Sequence, residues 1–181
     1  MMVLHQCQLT YDAAEDRILM RASFLQQNGE LHEIRAWLTR RIVKLLWPTL
    51  QKAMQTQITL DQPTAAHAKV EMVSMAHQAS IMELASQGKF GKPYDAEATH
   101  FPLGKVPFLV HNAQFAITRN APMRIIFAPA EGSGFEISFT PEILHGFSSL
   151  MPKAVAQAEW DMELFVPDEN DVDEDAPRVL N

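Results

Sequence analysis

The sequence predicts an α+β protein with an internal duplication, in which an antiparallel β-meander followed by a kinked helix occurs twice and a long helix joins the two halves. Three observations predict this. "IRAWLTRRIVKLLWPTLQKAM", beginning at Ile34, and "FEISFTPEILHGFSSLMPKAV", beginning at Phe135, align without gaps at an offset of 101. Both switch from two-residue to helical hydrophobic spacing at a threonine, Thr39 or Thr140. Both are preceded by a turn, a strand and a second turn of small and polar residues.

Each element has its own signal. The first strand carries His5 and Cys7, which alternate onto one face. In "LTYDAAEDRILMRA" a turn at Asp12-Ala13 leads into a strand opening on Arg17. "ITRNAPMRIIFA" repeats this with Asn120-Ala121 and Arg124. The hairpin turns "QQNGE" and "AEGSG" follow. Ile34, Ala36 and Leu38 then match Phe135, Ile137 and Phe139 as inward strand positions, and Ile42, Val43, Leu46 and Leu50 match Ile143, Leu144, Phe147 and Met151 on a helix face. Thr39 and Thr140 are natural N-caps, because a hydroxyl there accepts from an unpaired first-turn amide. Pro48 and Pro152 sit past the first turn, where a proline removes a hydrogen bond at a cost of about 3 kcal/mol and bends the helix. A helix over about 65–88, stopped at Gly88, joins the copies, and "GKVPFLVHNAQFAI" reads as one or two strands. The expected organisation is one domain over 1–165, with halves at about 1–57 and 105–160 and a disordered acidic tail at 166–181.

Composition narrows the function classes. A chain of 181 residues, 47% hydrophobic and 20% charged, has the make-up of a globular protein rather than a disordered one. No apolar run approaches the roughly 20 residues that span a bilayer, and the N-terminus lacks a basic region followed by an apolar run, so no membrane partner or signal peptide is expected. Cys7 is the single cysteine, which excludes an intramolecular disulfide and points to a reducing, cytoplasmic setting. The tail "VPDENDVDEDAPRVLN" holds six acids and one arginine, contributing −5 of the net −7 and leaving −2 for residues 1–165.

One local pattern breaks the usual rules. After Thr140 come Pro141 and Glu142, which suit a helix start; after Thr39 come Arg40 and Arg41, which oppose the helix dipole at up to about 1 kcal/mol each. Lys44 lies on the same side, and from Ile34 to Leu60 there are five cations (Arg35, Arg40, Arg41, Lys44, Lys52) and no acid. If Ile34, Ala36 and Leu38 face inward, Arg35 and Trp37 face outward, and Arg17 and Arg21 join them from the preceding strand. Cations around an aromatic ring suit single-stranded nucleic acid. The alternative is that these arginines serve acids such as Glu30 and Glu33, with Trp37 covered.

Other candidates carry less. His5 and Cys7 lack a third metal ligand or a CxxC or HExxH pattern. Met72, Met75, Ala79 and Met82, near His67 and His77, read as a core-facing stripe, or as one buried against a second subunit, rather than a copper site. "GKFGKPY" lacks the P-loop pattern and reads as a turn, and Glu71, Glu83 and Glu97 are lone acids. The plan of two curved sheets with helices is similar, at the level of architecture alone, to the single-strand-binding Whirly and PUR proteins, none of whose motifs occurs here.

The leading expectation is therefore a non-enzymatic binding protein, without cofactor or metal, that recognises an anionic macromolecule, chiefly single-stranded nucleic acid, through Arg17, Arg21, Arg35, Trp37, Arg40, Arg41, Lys44 and Lys52. Second comes a protein-interaction or chaperone-like module using the methionine-rich helix and the acidic tail, with homodimerisation among its modes. Third is an enzyme with a nonlocal active site.

Overall fold

The computed structural model describes residues 3–86, 94, 98 and 100–164. The expected stop at Gly88, the turn across 88–93, Glu97 and the acidic tail lie outside the described residues. The first half is the meander β1 (Val3–Asp12), β2 (Arg17–Leu25) and β3 (Leu31–Leu38), followed by α1 (Arg40–Asp61). A 3-10 segment, Pro63–Ala68, leads into the joining helix α2 (Lys69–Ser86). The second half is β4 (Phe108–Leu109), β5 (Asn112–Ala116), β6 (Met123–Ala128), β7 (Phe135–Phe139) and α3 (Pro141–Gln157). The fold is α+β, with one sheet ordered β1-β2-β3-β4, in which β4 runs parallel to β3, and another ordered β5-β6-β7.

Strand register shows the same duplication independently of the alignment. Across the first sheet, Leu9, Met20 and Ala36 stand level, as do Cys7, Ala22 and Ile34. Across the second, Phe115, Ile125 and Ile137 stand level, as do Ala113, Phe127 and Phe135. One detail of the sequence alignment changes. Arg124 pairs with Ser138, which is the level of Leu19 beside Trp37, so Arg17 and Arg124 are offset by two residues. Two-residue alternation allows this slip without changing which face is buried, and so hides it from sequence.

The halves hold each other reciprocally. α1 rests against β5 of the second half, and α3 against β1 of the first. Gln57 near the end of α1 donates to the Thr118 carbonyl, and Asp61 accepts from the Asn120 amide in the β5–β6 turn. Just past α3, the Trp160 indole donates at 2.9 Å to Asp16 in the β1–β2 turn. Asp16 and Asn120 are both left-handed, with φ of 48° and 53°. One continuous core results, joining Ile18, Met20 and Leu38 with Val43 and Leu50 of α1, and Ile125, Ile137 and Phe139 with Met151 of α3.

Both helices run through their prolines, Pro48 and Pro152. Beside them, Thr49, Ser148 and Ser149 turn their hydroxyls back onto the carbonyls of Leu45, His145 and Gly146. The methionine stripe departs from expectation. α2 turns Val73, Ser74, Ser80 and Leu84 inward, so Met75 is 59% and Met82 72% exposed. α3 fixes this rotation, because a Cβ on Gly146 would already come within 2.8 Å of Leu84.

Candidate functional site

The outward face of the first sheet is built around one carboxylate. Glu33, Arg35 and Trp37 alternate outward along β3, and Arg21 of β2 stands directly opposite Arg35. Glu33 is fully buried and accepts two hydrogen bonds from Arg21, at 3.1 and 2.9 Å, and one from Arg35 at 2.5 Å. The Tyr94 hydroxyl adds a third donor at 3.1 Å. Burial would raise the carboxyl's pKa, but the hydrogen bonds and charges of the two arginines outweigh it and hold it below the ordinary range. Aromatic rings close the cluster from outside, with Tyr94 4.1 Å from the Arg21 guanidinium and Phe101 4.9 Å from that of Arg35. Arg21 and Arg35 are therefore committed within the protein.

Trp37 is half-buried, paired with Leu19 on one side and level with Leu109 on the other. Arg17 pairs with Glu15 at 3.2 Å.

The cations of α1 are placed differently. Thr39 caps the helix as expected, its hydroxyl accepting from the Ile42 amide at 3.3 Å. Arg40 is exposed and gives one hydrogen bond to the Asp161 carbonyl. It also faces Asp16, whose carboxyl is held low by hydrogen bonds from Trp160 and Tyr11 and by Arg40's charge. Arg41, Lys44 and Lys52 are exposed and form no ion pair among the described residues. At 100° per residue they share one side of the helix, over about 16 Å. α1 carries no acid before Asp61.

Structure thus divides the predicted set. Arg21, Arg35 and Trp37 lie together on the sheet, Arg17 stands at its end, and Arg40, Arg41, Lys44 and Lys52 line the neighbouring helix. Glu33 was legible as an acid two residues from Arg35 on the same strand face. Tyr94 and Phe101 were not, because they are some 60 residues away in sequence.

Two further places gather chemistry. His5 and Cys7 do not share a face, because a bulge between Leu4 and Gln6 breaks the alternation. His5 is exposed while Cys7 packs against the core, where burial pushes its thiol up to about 12. The thiol lines a cleft of about 500 Å³ with Leu9, Leu84, Ile143 and Phe147, and at such a pKa it is a poor nucleophile. Between α2 and α3, His77 and His145 meet edge to face at 5.4 Å beside the buried Ser148. Among the described residues no three His, Cys, Asp or Glu side chains converge as metal ligands would, and no helix is long and apolar enough to cross a membrane. The chain matches no protein-family model, no curated protein and no solved structure.

Proposed function

We propose that the protein is a non-enzymatic binder of an anionic polymer, chiefly single-stranded nucleic acid, and that the exposed side of α1 is its contact surface. The observation that carries this reading is a row of four cations, Arg40, Arg41, Lys44 and Lys52, with no carboxylate along the helix until Asp61. Phosphates meet these side chains directly. Arg17 is paired with Glu15, and the Arg21–Arg35–Glu33 cluster keeps one net positive charge on the outward face of the first sheet, where the half-buried ring of Trp37 offers a stacking surface. A single strand fits better than a duplex, because residues 1–165 carry a net charge of only −2 and lack the broad basic footprint of duplex binders.

The acidic tail enters as a competitor. Its attachment is close to the cationic row, since Arg40 holds the carbonyl of Asp161, three residues before Leu164. Six acids at 166–181 then act as an internal polyanion.

Fluorescence anisotropy of a labelled single-stranded oligonucleotide tests the reading. The double variant Arg41→Glu, Lys44→Glu weakens binding by about tenfold or more, while Arg119→Glu, a cation on the β5–β6 turn, leaves it nearly unchanged. Neutralising the tail acids to amides tightens it. Absence of binding at low salt, or equal losses from both cation variants, overturns the proposal.

A further inference from the structure

The joining helix has two apolar sides, and among the described residues the one bearing Met75 and Met82 is left exposed. Toward α3, α2 presents Val73, Ser74, His77, Ser80 and Leu84, a partly polar seam. On the opposite side Met72, Met75, Ala79 and Met82 recur at spacings of three, four and three. From Met72 to Met82 the helix contains no charged residue. A helix face that meets only water usually carries charges, whereas this face of α2 exposes Met75 and Met82 while Ser74 and Ser80 are buried on the other side. Three methionines around a small alanine make an adaptable seam that lets a second helix approach closely.

We infer that this face is a homodimer interface, in which α2 packs antiparallel against α2 of a second copy. Charge selects both the occupant and the direction. Lys69 and Glu83 flank the methionine seam on the same side, near opposite ends of α2. An antiparallel pair centred near His77 sets Lys69 of each copy beside Glu83 of the other, twice over, as a two-fold axis requires. A parallel pair places like charges level with each other and aligns the helix dipoles unfavourably. α2 is 18 residues long, about 27 Å, which is room for about five turns of seam. The inference rests on residues of α2 alone and stands independently of the proposed function.

Light scattering coupled to size exclusion on the full chain is the test. The proposal expects a mass twice the 20.4 kDa of one chain. Met75→Lys with Met82→Lys produces monomers of unchanged circular dichroism, because both positions face water in the isolated chain. Lys69→Glu alone and Glu83→Lys alone each weaken the dimer by about fivefold, and the double exchange restores it. The exchange series decides the matter even if the methionine variant fails to fold. A monomeric wild type at about 100 μM, well above the dissociation constants of stable dimers, overturns the inference. So does a dimer unmoved by these substitutions.

Discussion

Arg21 and Arg35 face each other across antiparallel strands, and both donate to the one buried carboxylate of Glu33. Like charges directly opposite on a sheet repel, so this pairing is tolerable only with the anion between them. Glu33→Gln removes the charge and leaves two guanidinium groups half-covered by Tyr94 and Phe101. The expected cost is about 3 kcal/mol, read as a lower urea midpoint with unchanged slope. High salt should change the wild type little, because the carboxylate is shielded from solvent.

Acid should loosen the seam between α2 and α3. Burial, reinforced by His77 and opposed by Glu142, lowers the pKa of His145 from 6.5 to about 4. Its Nδ1 is buried with no hydrogen-bond partner among the described residues, and burial lowers His77 as well. The unfolded chain therefore takes up protons that the fold resists. The histidine's contribution is complete above pH 6.5 and is lost as pH falls toward about 4, with an upper size on the order of 3 kcal/mol. Glu33 acts in the same sense at lower pH, because its carboxyl is also depressed. Urea titrations at pH 7 and pH 5 should show a clear loss in the wild type and a much smaller one in His145→Leu. Equal losses would remove His145 as the cause.

The two helix starts separate position from energy. Thr39 and Thr140 occupy the same place in the duplication, but only Thr39 makes the side-chain cap; Thr140 makes no such hydrogen bond. In α3, Pro141 has no amide hydrogen to satisfy and Glu142 faces the positive end of the dipole. Thr39→Ala should cost about 1 kcal/mol and Thr140→Ala a few tenths, measured as differences in thermal midpoint.

Much of the architecture was legible because it rests on periodicity. Ile34, Ala36 and Leu38 alternate, and Val43, Leu46 and Leu50 follow at helical spacing; all are buried. The joining helix misled for the same reason. Its periodicity is real on both sides, and nothing local says that Val73, Ser80 and Leu84 face inward rather than Met72, Met75 and Met82. That choice belongs to Gly146 of α3, where the helices touch. For the candidate site, the cations and their lack of acids could be read directly, and outward alternation placed Arg21 beside Arg35 or Trp37. What closes over Glu33 could not be read, since Tyr94 and Phe101 lie some 60 residues away in sequence and no hydrophobic period links them to β3.

The salt dependence of oligonucleotide binding tests the central claim most directly. Four phosphate contacts, from Arg40, Arg41, Lys44 and Lys52, predict that log affinity falls against log salt with a slope of about −3, each contact adding about −0.7 for a single strand. Lys52→Gln should make the slope shallower by about 0.7, with the urea midpoint unchanged. A slope near zero, or one that Lys52→Gln leaves as it was, would contradict the assignment of this side of α1 as the binding surface.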